Sequence, residues 1–298
     1  MSFVSPLRYP GGKGKLASYF SKIITANGLK GGTYIEPFAG GAGVAISLLL
    51  SDIVRKVVIN DIDRPIHAFW KAVLNDNDEF VRLIEDTPLT VKEWKLQKKK
   101  QIKEDVSLLE LGFSTFYLNR TNRSGILDGG PIGGLEQSGE WKINARYNTE
   151  DLVRRVKTIG QRAEAINVFN QDAEKFIQNE LPNHPAESTL IYFDPPYYQK
   201  GAALYMNSYD HWDHSRLSDA ITALPLHWVI SYDNVPAIRD FYRHYHQHIF
   251  LLDYSAYLRR KGSEIMVFSD NLVVPDKHWL PGERTLVNEN AQTIIETF

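Results

Sequence analysis

The stretch that most limits the fold is residues 33–61, where two strand patterns flank a glycine-rich turn and a helix pattern. TYIEPF (33–38) predicts a strand that runs into AGGAGVA, and GVAISLLLS (43–51) has the composition of a buried helix. RKVVIND (55–61) is apolar and β-branched and ends on an acid, which predicts a second strand. Together they form one βαβ unit, with a right-handed crossover.

Further strand patterns follow in the second half of the chain, with helical patterns between several of them. They are INVFNQD (166–172), STLIYFD (188–194), LHWVISYD (226–233), QHIFLLDY (247–254) and EIMVFSD (264–270). A capped amphipathic helix is predicted over 148–166. Strands that alternate with helices at both ends of the chain predict an α/β fold with a doubly wound, mostly parallel sheet.

The middle of the chain, residues 63–147, has mostly helical periodicity. Thr90 with Glu93 and Ser107 with Glu110 have capping-box spacing at the start of two helices. Residues 121–147 then hold six glycines and little apolar periodicity, and a loop of that length is usually functional or disordered. We therefore predict a sheet domain built from residues 1–62 and 148–298, with a helical domain, 63–147, inserted into it.

The glycines between the first strand and its helix predict a ligand site. Gly40, Gly41 and Gly43 would let the backbone approach a ligand closely, and Asp61 ends the next strand, where a carboxylate can accept from ribose hydroxyls. The spacing lacks the full G-x-G-x-x-G pattern, so a turn that only packs is the alternative. GGKGKL (11–16) fails the phosphate-loop pattern, which excludes a nucleoside triphosphatase of that type.

FDPPYY (193–198) follows directly on a strand pattern and predicts a site for an amino group on a flat ring. Asp194 is acceptor-only when ionised, and two prolines remove two N–H donors while leaving their carbonyls. Acceptors that bind both hydrogens of an exocyclic amino group would draw the nitrogen lone pair out of conjugation. Tyr197 offers a stacking face, and Tyr198 has no assigned role; a plain Pro-Pro turn is the alternative.

Composition excludes several classes of protein. The chain has no cysteine, so disulfides, thiolate metal sites and cysteine nucleophiles are excluded, and HWDH (211–214) and HYHQH (244–248) lack the spacing of a closed metal site. No apolar run is long enough to span a membrane, and the N-terminus lacks a signal pattern, so we expect a cytoplasmic protein without a membrane partner. The net charge of −2 means that any nucleic-acid surface is local.

Nine pieces of the chain, in this order, resemble the Dam-like (alpha-group) DNA N6-adenine methyltransferases. They are LRYPGGKGKL, YIEPFAGGAGV, VVINDID, YLNRTNRSG, FNQDAEKF, YFDPPYY, HWDHSRL, VISYDN and GSEIMVFSDN, and they cover about residues 5 to 272. The resemblance implies a Rossmann-like methyltransferase domain that binds S-adenosylmethionine, releases S-adenosylhomocysteine and needs no metal. It also implies that residues 63–147 recognise the DNA target.

The resemblance assigns roles to particular residues. Cofactor contacts are expected from Tyr9, Lys13, Phe38, Gly40, Gly41, Gly43, Asp61 and Asp172, and the flipped adenine is expected at Asp194, Pro195 and Tyr197. The residues themselves, apart from the resemblance, predict DNA contacts at Arg8, Arg120, Arg123 and Arg146, because these arginines flank glycine-rich segments that can approach a groove, and Asn122 and Ser124 of the same loop are expected to join them. The lysines of 92–103 fit either a solvated helix or phosphate contacts. The recognition loop NRTNRSGIL departs from better-known members, so the resemblance does not predict the target sequence.

The expected reaction is methylation of adenine N6 in a specific double-stranded DNA sequence, by base flipping and direct methyl transfer. Alternatives are methylation of cytosine N4 or of an RNA amino group, a catalytically idle DNA-binding homologue, and a nicotinamide-dependent dehydrogenase, which the broken glycine spacing disfavours. We expect a monomer on DNA. Whether a restriction endonuclease or another defence-system partner accompanies it is left open.

Overall fold

The strand patterns assemble into one seven-stranded sheet in the computed structural model, which describes residues 4–8, 13–199, 209–254 and 260–280. The strands are β1 (Thr33–Glu36), β2 (Lys56–Asn60), β3 (Ile166–Phe169), β4 (Thr189–Phe193), β5 (His227–Asp233), β6 (His246–Tyr254) and β7 (Arg260–Phe268). Their order is β3-β2-β1-β4-β5-β7-β6. The first five run parallel and β7 runs antiparallel to both of its neighbours, which confirms the mostly parallel sheet.

Helices cover both faces of the sheet, as a doubly wound fold requires. They are α1 (Ala17–Ala26), α2 (Gly43–Leu50), α3 (Arg64–Asn75), α4 (Asn77–Asp86), α5 (Val91–Gln101), α6 (Leu108–Thr121), α7 (Thr149–Gly160), α8 (Ala173–Asn179), α9 (His211–Thr222) and α10 (Pro236–Phe241). A larger hydrophobic cluster joins one face to α1–α4, α6 and α7. A smaller cluster joins the other face to α8, α9 and α10.

The direction of chain progression reverses between β1 and β4. From β1 the chain moves outward through β2 to β3, and it then returns to β4 on the other side of β1. In open α/β sheets this reversal leaves a crevice at the carboxyl ends of the strands, because the flanking connections leave in opposite directions. The glycine turn after β1 and the Asp-Pro-Pro turn after β4 therefore border the same crevice.

The helices between β2 and β3 pack around α6, whose residues 111–121 are all buried. A Cβ at Gly112 would lie only 2.4 Å from the Ala68 carbonyl oxygen, so glycine is what lets α6 approach α3. These helices share the larger hydrophobic cluster with the sheet. The division of the chain into 63–147 and the remainder stays a prediction.

Two helices begin where the sequence predicts, whereas one helix ends earlier than predicted. Thr90 and Ser107 accept from the backbone N–H of Glu93 and Glu110, as the capping spacing predicts. The helix predicted over 148–166 ends at Gly160, followed by a short 3₁₀ turn. A Cβ at Gly160 would lie 2.3 Å from the Asn77 amide, so the small residue fits where α7 meets α4. Within the ranges described, no helix has the length and apolarity needed to cross a membrane.

Candidate active site

The glycine turn after β1 is held in shape by three side chains from different parts of the chain. The Asp61 carboxylate accepts from the Gly40 N–H at 2.8 Å, and the Trp70 indole donates to the Gly40 carbonyl at 3.0 Å. The Ser5 hydroxyl donates to the Gly41 carbonyl at 2.5 Å. Gly40 has a φ of 46°, which favours glycine. Contacts within the protein therefore fix the shape of the turn.

Gly43 lies against the N-terminal turn. A Cβ at Gly43 would lie 3.3 Å from the Gly14 Cα, so the two backbones meet where neither carries a side chain. The approach brings Lys13 over the carboxyl edge of the sheet. Tyr9, which was predicted to act beside Lys13, lies outside the described residues.

Two carboxylates extend the crevice along β2 and β3. Asp61 also accepts from the Asp63 N–H at 2.9 Å, and its burial raises its pKa. Asp172 caps α8 by accepting from the backbone N–H groups of Glu174 and Lys175. The Phe38 ring is half-buried and makes an edge contact with Tyr209 at 6.1 Å. The structure thus places the predicted cofactor residues from Phe38 to Asp172 at the ends of three adjacent parallel strands.

These groups fit a nucleoside bearing a small polar chain. Gly43 and Gly14 meet without side chains, and the left-handed Gly40 also lacks one, so no side chain fills the space beside this turn. Carboxylates at the ends of neighbouring strands supply acceptors for ribose hydroxyls and for an adenine amino group. The chemistry of this donor and acceptor set therefore suits S-adenosylmethionine.

Four neighbouring strands present a polar side chain on the same face at this edge. They are Glu36 on β1, Asp194 directly after β4, Ser231 on β5 and Glu264 on β7. Side chains alternate between the faces of a strand, and each of the four lies two positions from a member of the larger cluster. Those members are Tyr34, Tyr192, Val229 and Met266. Because β7 is antiparallel, its early residues meet the last residues of the parallel strands.

Asp194 is the outermost member of this polar group, with 27% of its side chain exposed. The Ser231 hydroxyl donates to Asp194 Oδ1 at 3.0 Å, and the Lys13 ammonium lies 3.7 Å from the same oxygen. Burial raises the pKa of Asp194 to about 6, against the opposing effect of Lys13. Pro195 is buried behind it. The carboxylate is therefore fixed in place while part of it still faces the crevice.

Beneath Asp194 lies a buried cluster of Lys13, Glu264 and Tyr197. Lys13 and Glu264 form an ion pair, and their side chains are 3% and 0% exposed. The Tyr197 hydroxyl donates to Glu264 Oε1 at 2.7 Å and accepts from Lys13 at 3.2 Å. Burial opposes the charge on Lys13, but Asp194 and Glu264 raise its pKa overall, so it stays protonated. Lys13 thus contacts the Asp-Pro-Pro-Tyr turn directly.

The end of this turn is anchored by Asp233 on β5. Its carboxylate accepts from the backbone N–H of Tyr198 at 2.9 Å and from that of Gln199 at 3.1 Å. The Tyr198 hydroxyl is 2.8 Å from His211 Nδ1, and its ring is half-buried. Tyr198, which had no assigned role, therefore joins the turn to the first residue of α9.

The N-terminal segment 4–8 joins the glycine turn to the end of α6. Arg120 is only 9% exposed, and its guanidinium donates to the Pro6 carbonyl, at 2.6 Å from Nε. Burial, Arg155 and Arg8 lower the pKa of Arg120 to about 9. Arg8 exchanges two backbone bonds of 2.7 Å with the Asn119 amide. Arg120 therefore lies in the interior, where it supports the N-terminal segment.

The 122–147 segment is held by Asn122 at its start. Asn122 is fully buried; its amide donates to the carbonyls of Ile126 and Leu127, and its oxygen accepts from the Trp94 indole at 2.6 Å. Ser124 is half-buried and has a φ of 56°. Of the predicted DNA-contacting residues in this segment, Arg123 is the one with an exposed side chain.

Four residues that support the site were not predicted from the sequence: Trp70, Ser231, Asp233 and Glu264. Ser231 interrupts the apolar run of β5, and Glu264 stands directly before the apolar run of β7; a polar residue at the core-facing position of a buried strand is the signal that would have singled them out. Trp70 gives no such signal, because a tryptophan in a helix is expected in any core.

The histidine motifs have structural partners. His214 is buried with Nδ1 3.0 Å from the Tyr232 hydroxyl, and burial lowers its pKa to about 4. His246 and His248 lie side by side, with 2.8 Å between their Nε2 atoms. Across the described ranges, no three His, Asp or Glu side chains come together in a group that could hold a metal ion.

The chain is similar to DNA-modifying enzymes in sequence. A family model described as "D12 class N6 adenine-specific DNA methyltransferase" matches residues 9–253. The type II methyltransferase M.MjaIII of Methanocaldococcus jannaschii is 26% identical over 227 residues, which cover 70% of this chain and 73% of the relative.

Similarity to solved structures is weaker. PH1948 of Pyrococcus horikoshii has a TM-score of 0.43 at 12% identity, over 89% of this chain and 88% of its own. TrmK of M. capricolum, in complex with S-adenosyl-homocysteine, has a TM-score of 0.35 at 8% identity, over 93% of this chain and 87% of its own.

Proposed function

We infer how the site acts from the premise that the chain belongs to the D12 class N6 adenine-specific DNA methyltransferases. We propose that it methylates adenine N6 within a specific double-stranded DNA sequence, by base flipping and direct methyl transfer from S-adenosylmethionine. The observation that carries the proposal is the position of Asp194. Its carboxylate is fixed by Ser231, is partly exposed, and lies at the reversal point next to the glycine turn.

Asp194 and Pro195 would act on the amino group of the base. The carboxylate accepts one N–H and the Pro195 carbonyl accepts the other, since proline contributes an acceptor and no donor. Hydrogen bonds to both hydrogens draw the nitrogen lone pair out of conjugation with the ring and direct it into the crevice. Once the nitrogen has gained the methyl group it is cationic, and it then releases one proton. Most of the rate enhancement would come from positioning, because reacting atoms held about 3–3.5 Å apart need little further reorganisation.

The aromatic residues of the turn would hold the base. We propose that the Tyr197 ring, 5% exposed and fixed at its hydroxyl by Glu264 and Lys13, forms one wall of the base pocket. Tyr198, more exposed and tied to His211, is the candidate for the second wall. Flipping the base costs roughly a few kcal/mol of lost stacking and pairing, which these contacts would offset.

The residues that we propose for cofactor binding lie along the carboxyl edge of the sheet. Asp61 would bind the ribose hydroxyls and Asp172 the adenine amino group, while Phe38 and the turn of Gly40, Gly41 and Gly43 would enclose the remaining chain. When bound, S-adenosylmethionine supplies a methyl group already activated by its sulfonium charge. For that reason the protein residues need only bind, orient and exclude water.

DNA contact is assigned by exposure. Arg123 is exposed at the start of the 122–147 segment, so we propose that it reaches the DNA, with Ser124 beside it and Arg8 at the edge. Arg120 and Asn122 are buried, and we propose that they hold this surface in shape without touching the DNA. The lysines of α5 border the same region, since Lys98 donates to the Leu127 carbonyl at 3.0 Å.

The test is Asp194→Ala, assayed with labelled S-adenosylmethionine on plasmid DNA from a host without adenine methylation. The variant should bind S-adenosylhomocysteine as the wild type does and lose methylation by about 10³-fold, because one of two acceptors is gone. Base-level sequencing of wild-type products would identify N6-methyladenine and its motif. Wild-type activity in the variant, or N4-methylcytosine as the product, would overturn the assignment.

A further inference from the structure

Two carboxylates share one buried ammonium at the centre of the site. Lys13 forms its ion pair with Glu264, while Asp194 is kept at 3.7 Å from the same ammonium. The exposed fractions of the three side chains differ in the same way. Lys13 and Glu264, which form the short pair, are inaccessible, and Asp194, the more distant group, is partly exposed to the crevice. Glu264 therefore takes the short contact with Lys13 and leaves Asp194 as the longer, weaker partner at 3.7 Å.

We propose that Glu264 is a positioning residue for methyl transfer, which holds Lys13 away from Asp194 and fixes the hydroxyl of Tyr197. The proposal rests on the function proposed above. Lysine has a long, flexible side chain, so without Glu264 its ammonium would shorten the 3.7 Å contact with Asp194 to the roughly 2.7–2.9 Å of a charge-assisted hydrogen bond. A carboxylate paired in that way is a poorer acceptor for the amino group of the base.

Glu264 also determines the orientation of Tyr197. Its Oε2 side pairs with Lys13 and its Oε1 accepts from the Tyr197 hydroxyl, so one carboxylate fixes both groups. Glu264 lies opposite Asp233 in the β5–β7 ladder, and Asp233 binds the next two backbone N–H groups of the turn. Two adjacent strands thus hold the Asp-Pro-Pro-Tyr-Tyr turn: Glu264 on β7 binds the side chain of Tyr197, and Asp233 on β5 binds the backbone that follows it.

The ionisation of Asp194 depends on every charged or titratable group that faces it. These are Lys13 from the N-terminal turn, Glu264 from β7, Glu36 and Tyr34 from β1, Tyr192 from β4 and Tyr232 from β5. Burial raises the pKa of the three tyrosines, which are neutral near pH 7. Lys13 lowers the pKa of Asp194 and Glu264 raises it. Removing the charge of Glu264 should therefore lower the pKa of Asp194.

The experiment compares Glu264→Gln with wild type in two ways. In the free protein, the carboxyl carbons of labelled aspartate are titrated by NMR, and the Asp194 signal should titrate at lower pH in the variant. In the assay, kcat should fall by about 10²-fold at a nearly unchanged KM for S-adenosylmethionine, because displaced groups reduce the rate. The acid side of the pH–rate profile should also move to lower pH.

Two further variants serve as controls. Ser231→Ala removes a donor that lowers the pKa of Asp194, so its titration should move to higher pH, opposite to Glu264→Gln. Glu187→Gln makes the same chemical change at an exposed residue before β4, and should leave both the titration and kcat unchanged. A structural defect alone would not produce shifts of opposite sign.

A buried glutamine beside Lys13 could prevent folding, since it leaves the ammonium without its partner. In that case Glu264→Asp keeps a charged partner for Lys13 but withdraws it by one methylene, so kcat should again fall in a variant that stays folded, and wild-type kcat in Glu264→Asp would count against the assignment. An unchanged or raised Asp194 titration, or wild-type kcat in Glu264→Gln, would overturn the assignment. A wild type that makes no N6-methyladenine would instead overturn the proposed function, whatever the titration shows.

Discussion

The turn after β4 and the 122–147 segment are both irregular, yet they are held in different ways. Residues 194–199 are fixed by charged side chains, which are the buried Lys13 and Glu264 and the half-buried Asp233. The 122–147 segment is fixed by side-chain amides that bind backbone carbonyls, such as Asn122 to Ile126 and Gln137 to Ile132. In the turn after β4 the supporting charges lie within the protein, whereas in the 122–147 segment the charged side chains lie at the surface.

The difference fits the role that we propose for each region. A site that performs one reaction gains from charges whose positions and ionisation are fixed by burial. A surface that contacts DNA needs cations in solvent, and the 122–147 segment exposes Arg123, Arg146 and Trp141, the last at 63%. Amides that bind the backbone leave those outward side chains free to differ between enzymes with different targets. The predictions below separate the two modes of support, in order of decreasing effect.

The largest effect is expected when the buried charge pair is broken. Lys13→Met leaves Glu264 fully buried without its partner, and should lower the free energy of unfolding by about 3–5 kcal/mol. Lys13→Met/Glu264→Gln removes both charges and should recover most of that loss. Urea unfolding at pH 8 measures both. Equal midpoints for the single and double variants would mean that the charges do not support the turn.

A pH-dependent effect is expected at Glu36. It is buried, it accepts from the Ala45 N–H, and burial raises its pKa from 4.5 to about 8. Between these values the folded state holds a proton that the unfolded state releases, so ionisation makes stability fall as pH rises. Glu36→Gln avoids this cost, and its advantage should grow by at most about 1.4 kcal/mol per pH unit from pH 5 to 8.

The Glu36 prediction is measured by unfolding at pH 5, 6.5 and 8. Glu187→Gln, an exposed change of the same chemistry, should follow the wild type at each pH. A Glu36→Gln advantage that is the same at all three values would show that Glu36 is already ionised in the folded protein.

A smaller loss is expected where an amide is removed from the 122–147 segment. Asn122→Ala leaves the carbonyls of Ile126 and Leu127 and the Trp94 indole without their partner, and should cost about 2 kcal/mol of stability. Asn144→Ala, an exposed change in the same segment, should cost nothing measurable. S-adenosylhomocysteine affinity, measured by calorimetry, should be unchanged. A loss of that affinity would show that the two regions are not independent.

The smallest effect is expected at the surface itself. Arg123→Ala should leave the unfolding midpoint unchanged and weaken binding to plasmid DNA by about tenfold, with a shallower dependence on salt. Arg154→Ala removes an exposed guanidinium from α7 and serves as the control. Equal DNA affinities for the two variants would remove Arg123 from the proposed interface.

The parts of the fold that the sequence predicted are those fixed by local pattern. The strands, the glycine turn and the caps at Thr90 and Ser107 depend on neighbouring residues, and the structure has them where they were expected. The predicted end of α7 was six residues too late, because the helix ends at Gly160, a residue of low helix propensity that the pattern of apolar spacing passes over. Patterns of alternation also could not show that β7 brings Glu264 to the carboxyl edge.

The predicted DNA contacts show the same limit. Arg120 and Asn122 precede a glycine-rich stretch and carry polar side chains, which is typical of a binding loop. In the structure α6 is surrounded on every side, so both side chains turn inward and bind carbonyls. An arginine at a buried position looks the same in sequence as one at the surface, because its partner, Pro6, lies 114 residues away.

Residues 4–8 contact both the glycine turn of the proposed cofactor site and the end of α6, which leads into the proposed DNA-contacting segment. Ser5 binds the glycine turn and Pro6 binds Arg120, so a shift at either end moves a strand of chain that the other end also uses. Such a shared support offers a route for thermodynamic linkage between the two sites. If bound cofactor raises the affinity for DNA by some factor, then bound DNA must raise the affinity for the cofactor by the same factor.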